Sequence, residues 1–375
     1  ERATLERWLG ALPAGLIRSR PRLLLAQARL ALLSGRLEAV DGLLDNAERA
    51  FADAADEPFE PSAGKAASAL VNVPAAIALE HALLAYLRGD AEGTARFASQ
   101  ALATLGEGEW MLDLWIQSMR ALAELLRGRL AAAERAFAAS ITEWWSVGEP
   151  AMAASDCHLL GQVQRALGRL DAALDTYQQA LEMTAPAGRP ALPAAGVAYV
   201  GMAEVAYQRG ELDAALRHVT EGIPLCRQLV YTQPLATGLA ALAWIRHAQG
   251  DPAGAREAMG EAGRVAPGPG VASLLNPVPA QRARLLLAQG EVDAAARWVE
   301  ERGLTPDDEP GYPREPEYLV LARVLLAQDR PTPALELLGR PASAAARPFP
   351  VIMSTPCERD IGSTSCPRAW STSTA

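Results

Sequence analysis

The chain has 375 residues, of which 35 are Lys or Arg and 44 are Asp or Glu, for a formal net charge of −9. Half of it is hydrophobic but only 5% is aromatic. The apolar fraction is therefore mostly Ala and Leu, which favour helix and exclude an all-β protein built on Val, Ile, Thr and aromatics. Net negative charge argues against bulk attraction to nucleic acid or to an anionic membrane. Lys65 is the only lysine, a bias toward arginine that reads as GC-rich coding and not as a phosphate-binding design.

No apolar run reaches the roughly 18 residues needed to cross a bilayer, and the N-terminus lacks the charged-then-apolar pattern of a signal peptide. The expectation is a soluble, cytoplasmic chain with no membrane partner. Cys157, Cys226, Cys357 and Cys366 form no C-x-x-C pair and no metal-ligand spacing, so no disulfide framework, zinc site or other cofactor is expected. The chain opens on Glu1, which sets the expectation of a piece of a longer protein.

In chain order, one phrase recurs: an apolar helical run, a glycine, two or three residues, and a second Ala-rich run. It stands at Gly35, Gly89, Gly128, Gly168, Gly210, Gly250 and Gly290, with Asp329 in the glycine place of an eighth copy. The spacings are 54, 39, 40, 42, 40, 40 and 39 residues. A glycine suits the left-handed residue that closes one helix, and Asp or Pro shortly after starts the next, so each copy predicts a helical hairpin. Seven residues before each turn stand Ala28, Ala82, Ala121, Gly161, Ala203, Ala243, Ala283 and Ala322. Five residues after stand Val40, Thr94, Ala133, Ala173, Ala215, Ala255, Ala295 and Ala334. Small residues at matched positions let the two helices approach closely. Irregular Pro- and Gly-rich stretches are expected at 56–74, 186–193, 267–279 and 305–316. Trp110, Trp115, Trp144 and Trp145 are read as hairpin-to-hairpin packing, and Trp8 as a staple to whatever precedes the first helix.

These hairpins resemble tetratricopeptide repeats. The fourth is the nearest match, with Leu160-Gly161 in its first helix, Gly168 at the turn, then Ala173, Tyr177 and Ala180; the period near forty marks a degenerate variant. The resemblance implies an all-α fold, a right-handed superhelix of about eight hairpins over 1–340 with an irregular insertion at 56–74. Residues 341–375, which hold no leucine and two of the four cysteines, are expected to be a disordered or aberrant tail. Either a reading-frame change or a flexible extension accounts for that composition.

Two further phrases are more specific. The opening Trp8-Leu9-Gly10-Ala11-Leu12-Pro13, followed by Arg20-Pro21 and a hairpin, and the late segment from Tyr312 to Arg340 resemble the repeat region of MalT-like, LuxR-type large ATP-binding transcription regulators. The resemblance implies a sensory segment that binds an effector or a regulatory protein and relays that state to an ATPase module, with a DNA-binding helix-turn-helix elsewhere in the parent. Neither module's motif occurs in this sequence. Pro61-Ser62-Ala63-Gly64-Lys65-Ala66 lacks the first glycine and the hydroxyl of a phosphate-binding loop. Direct nucleic-acid binding by this segment is not expected.

No H-E-x-x-H, G-x-S-x-G or G-x-G-x-x-G is present, and His81, His158, His218 and His247 fall in different hairpins. No catalytic residue is assigned. Cys157 beside His158 is rejected as a nucleophile and base because adjacent helical residues point about 100° apart. The candidate site is the concave wall, where first-helix positions bring up His158, Gln162, Arg165, Glu204, Tyr207, Trp244, His247 and Arg284. Aromatic faces with donors for anions or hydroxyls suit a sugar or peptide groove. The alternatives are a freestanding tetratricopeptide adaptor that binds protein segments constitutively and, more remotely, a hydrolytic enzyme on a helical-repeat scaffold.

Overall fold

The computed structural model describes residues 2–53, 72–186, 188–229, 231–266, 277–309 and 311–339. These residues form α-helices, two short 3-10 turns and connecting loops, with no strand among them. Two helices lead in, α1 (Arg2–Ala11) and α2 (Ala14–Arg18). Eight hairpins follow: α3 (Pro21–Leu33) with α4 (Val40–Asp53); α5 (Val73–Leu87) with α6 (Ala91–Ala103); α7 (Trp110–Leu126) with α8 (Leu130–Ser146); α9 (Pro150–Ala166) with α10 (Leu170–Thr184). The remaining four are α11 (Ala195–Arg209) with α12 (Leu212–Cys226), α13 (Gln233–Ala248) with α14 (Pro252–Val265), α15 (Val278–Ala288) with α16 (Val292–Glu301), and α17 (Glu315–Ala327) with α18 (Pro331–Gly339). The hairpins stack in chain order, first helix on neighbouring first helix, except that α9 meets hairpin three through α8.

The eight turns are built the same way. The glycines at 35, 89, 128, 168, 210, 250 and 290 have φ between 70° and 82°, and Asp329 takes φ 56°. At each turn the left-handed residue donates its N–H three residues back, as Gly168 does to Arg165 O at 2.9 Å. The next residue donates five back, as Arg169 does to Gln164 O at 2.8 Å and Arg330 to Leu325 O at 2.9 Å. This paired capping satisfies the last carbonyls of the first helix and reverses the chain. Asp tolerates the left-handed region better than most residues, which explains how the eighth turn keeps the geometry without glycine.

Around each turn the small-residue pattern does what close approach requires. Ala28, Ala82, Ala121, Ala203, Ala243, Ala283 and Ala322 are at most 2% exposed, and Val40, Thr94, Ala133, Ala173, Ala215, Ala255, Ala295 and Ala334 are fully buried. Four apolar clusters run along the array and share the helices α5, α11 and α15, so the core is one continuous strip passed from hairpin to hairpin. A row of exposed ion pairs links neighbouring hairpins near their turns: Arg88 to Asp41 at 2.6 Å, Arg127 to Glu92 at 2.7 Å, Arg169 to Glu134 at 2.8 Å, Arg209 to Asp171, and Arg256 to Glu291 at 3.0 Å. Each such pair contributes at most about 1 kcal/mol. Apolar packing therefore holds the stack and the ion pairs trim it.

Several sequence expectations need correction. The irregular stretch at 56–74 ends early, because Val73 and Pro74 already open α5, with Asn72 Oδ1 accepting from Ala75 N at 3.0 Å; its remainder up to 71 lies outside the described residues. Val278 and Pro279 likewise begin α15, while 267–276 lies outside the described residues, and Glu315 and Pro316 begin α17. Proline is tolerated in a first helical turn because its missing N–H has no intrahelical acceptor there. The tail at 341–375 also lies outside the described residues. Trp144 is buried and meets Trp115 edge-on at 5.8 Å, as the packing role requires. Trp145 and Trp110, by contrast, are 52% and 39% exposed: each stands one helical step off the buried face. Trp8 is also exposed.

One packing detail lies beside the site. Tyr177 of α10, fully buried, lies between Gly161 of α9 and Gly201 of α11. A Cβ at Gly161 would come within 2.4 Å of the ring and one at Gly201 within 2.3 Å. Neither ring nor helix can give way without repacking, so Gly201→Ala is expected to cost about 1–3 kcal/mol of stability in urea unfolding. Gly168→Ala, which faces open space, is expected to cost about 1–2 kcal/mol through backbone strain alone. An unchanged unfolding midpoint in either variant would contradict this account of the turns and the slot.

Candidate functional site

The first helices of hairpins four to seven enclose a small cleft of about 70 Å³, open to solvent at its mouth. Its lining comes from Arg165 (α9), Glu204, Tyr207 and Gln208 (α11), Thr237, Ala240, Ala241 and Trp244 (α13), and Gln281 and Arg284 (α15). Seven of the eight sequence candidates stand three or six residues before a hairpin turn: Gln162 and Arg165, Glu204 and Tyr207, Trp244 and His247, and Arg284. In hairpin three the same two places hold Leu122 and Leu125, both buried. Hairpins one and eight carry Arg29 and Arg323 at the six-before place, so polar residues recur on this face outside hairpins four to seven as well.

At one end of the cleft Arg165 donates to Glu204 Oε2 at 2.5 Å and to Gln208 Oε1 at 3.3 Å. Both members of the ion pair are about nine-tenths buried. Burial works against the Arg165 charge, but Glu204 and the neighbouring Tyr177 hydroxyl outweigh it and hold the guanidinium above its ordinary value. A buried pair of this kind adds little net stability, yet removing one member strands the other charge, which fixes both side chains in place. The Tyr177 ring, seated between the two glycines, lies beside this pair and not in the lining of the cleft.

At the other end Arg284 lies over the indole of Trp244, 4.2 Å from the ring centre. The Trp244 Nε1–H donates to Gln281 Oε1 at 2.7 Å, and His247 meets the same ring edge-on at 5.9 Å. Burial and then Arg284 hold His247 below its ordinary value. Stacking and hydrogen bonding orient the indole from three sides, leaving a preset aromatic wall beside Tyr207 and the small side chains of Ala240 and Ala241.

Five of the eight sequence candidates, Arg165, Glu204, Tyr207, Trp244 and Arg284, line this one cleft. His158, Gln162 and His247 do not line it. His158 Nε2 is paired with the Gln162 amide at 2.9 Å, and His247 backs Trp244. Gln208, Thr237 and Gln281 are lining residues that the turn-based register misses, since they stand two, thirteen and nine residues before their turns. Nearness to Arg165 and Trp244 reveals them, and that is a property of packing. Beside this group, Cys157 is buried with its thiol pushed up to about 12 by burial, and His158 is lowered to about 4 by burial and Arg165. A protonated thiol beside a weak base is the opposite of an activated nucleophile.

A second buried polar cluster was not legible in the sequence. Asp156 Oδ2 accepts from Ser140 Oγ at 2.6 Å and Ser118 Oγ at 3.0 Å, and Trp144 Nε1 donates to Ser118 Oγ at 3.3 Å. It ties α7, α8 and α9 together. Burial raises Asp156 to about 6, against the hydrogen bonds from Ser140, Ser118 and Trp144. A carboxyl raised above its unfolded value favours the folded state below about pH 4 and loses that advantage as pH climbs through about 6. Between pH 4 and 7.5 the wild type should therefore lose on the order of 2–3 kcal/mol relative to Asp156→Asn, read as the difference between their stability-versus-pH curves. Parallel curves would contradict the assignment.

The MalT-like TPR region matches residues 75–348. The chain belongs to the MalT-like TPR family. Among solved structures it is similar to a Rap protein complexed with Competence and Sporulation Factor, at 12% identity and a TM-score of 0.54 over 85% of this chain and 86% of that one. It is also similar to NprR in complex with its cognate peptide NprX, at 12% identity and a TM-score of 0.52 over 88% and 89%. A third is the Rap conjugation gene regulator of the plasmid pLS20 in complex with the Phr* peptide, at 14% identity and a TM-score of 0.51 over 85% and 98%. At these identities the likeness is one of fold. No curated protein sequence matches the chain. The MalT-like assignment agrees with the tetratricopeptide-like hairpins.

Proposed function

We propose that this chain is the effector-sensing segment of a LuxR-type regulator and that the cleft of hairpins four to seven is its receptor site. The observation that carries the reading is convergence: Arg165, Glu204, Tyr207, Trp244 and Arg284, on four consecutive first helices, meet around one opening. A cleft of about 70 Å³ takes one side chain of a regulatory peptide or protein, or one ring of a small effector, and not a whole protein face. Its chemistry is recognition: an aromatic wall for stacking, amide and hydroxyl groups for hydrogen bonds, and a fixed Arg165–Glu204 pair for orientation. The peptide complexes formed by the Rap and NprR proteins of similar fold support an occupant of that kind. An occupant that touches four hairpins at once favours one set of angles between them, and that bias is what a relay to an ATPase module in the parent would use.

The test is a thermal-shift screen of sugars and short peptides on the full chain. A ligand present at 100 times its Kd should stabilise the chain by about 2.7 kcal/mol. Tyr207→Ala combined with Trp244→Ala should abolish that shift while leaving the helical circular-dichroism signal intact. A stabilising ligand whose effect survives both substitutions would overturn the assignment of the site.

A further inference from the structure

Outside the cleft, one contact joins parts of the array that lie far apart in sequence. Tyr312, in the 3-10 turn Tyr312–Arg314 between hairpins seven and eight, packs on Gly128, the turn residue of hairpin three. A Cβ at Gly128 would come within 3.1 Å of the Tyr312 ring, so the fit depends on that glycine. Tyr312 is 8% exposed and belongs to the apolar cluster formed by hairpins two to five, not to that of its own neighbours. The contact therefore bridges the arc of hairpins three to eight.

The contact is also poorly satisfied. The Tyr312 hydroxyl and the Oε1 of Glu315, three residues on at the start of α17, are both buried with no hydrogen-bond partner. Closing buries an aromatic ring, which is favourable, and strands two polar atoms, which offsets part of that gain. The two opposing terms are of comparable size. The cleft lies on hairpins four to seven, within the arc that the contact spans, so any change in the angles between those hairpins moves Gly128 relative to Tyr312.

We infer that Tyr312 on Gly128 is a weak intramolecular clasp that closes the arc of hairpins three to eight, and that occupation of the cleft controls whether it is shut. The control rests on the proposed receptor site, whereas the clasp itself does not. Cleft occupancy and clasp closure are then two ends of one equilibrium, and each biases the other by the same factor.

Hydrogen exchange on the full chain tests this without an identified effector. In the wild type the amides of Arg314 and Glu315, which donate to Gly311 O and Tyr312 O, should be protected. Tyr312→Ala and Gly128→Ala should each speed their exchange at least tenfold, while Gly168→Ala, which places the same strain at a turn with nothing opposite, should leave them unchanged. Filling the cleft with Ala241→Phe, or emptying it with Trp244→Ala, should change exchange at those two amides at least threefold with the amides of α3 unaffected. Amides that exchange freely in the wild type, or that ignore Tyr312→Ala, would rule out the clasp. Amides that respond to Tyr312→Ala but to neither cleft variant would leave the clasp standing and rule out its control by the cleft. Neither result bears on ligand binding at Trp244, which the thermal-shift screen decides separately.

Discussion

The structure depends on how closely two helices of a hairpin can approach, which the residues flanking each turn decide. A left-handed residue closes the first helix, and buried small side chains seven before and five after it let the second helix lie against the first. Because a single hairpin cannot bury its apolar face alone, each must stack on the next, and the core becomes a strip in place of a centre. Everything else in the molecule is hung on that regular stack, including the concave positions that recur at fixed distances from the turns.

Function in such an array comes from where the repeat is broken in composition while kept in geometry. Hairpin three carries leucines at the positions where hairpins four to seven carry Gln162, Arg165, Glu204, Tyr207, Trp244, His247 and Arg284. The backbone does not distinguish these hairpins, so the polar side chains meet because the stacking brings equivalent positions together. Tyr177, held between two glycines, lies within electrostatic reach of the Arg165–Glu204 pair.

Much of this was legible in the sequence. The eight turns, the period and the small-residue contacts follow from local rules: glycine geometry, capping and the helical repeat. Five cleft residues followed from the same register because the first helix faces inward. Three more, Gln208, Thr237 and Gln281, did not, since membership of a cleft depends on the angle between hairpins, which no local rule supplies. The Asp156 cluster was hidden for a related reason: Ser118, Ser140 and Asp156 are unremarkable singly and acquire meaning only when three helices enclose them. The Tyr312–Gly128 contact joins residues far apart in the chain, beyond the reach of any periodicity. The exposure of Trp110 and Trp145 was misread because an aromatic residue in an Ala-rich helix suggests burial whichever face it occupies.

The central claim is that a ligand of this chain is received against Trp244. Its most direct test is fluorine NMR of the full chain labelled with 5-fluorotryptophan, with the Trp244 resonance assigned by Trp244→Phe. Any sugar or short peptide that raises thermal stability should shift the Trp244 resonance and leave those of Trp8 and Trp145 in place. A stabilising ligand that leaves Trp244 unmoved while shifting another tryptophan would contradict the account.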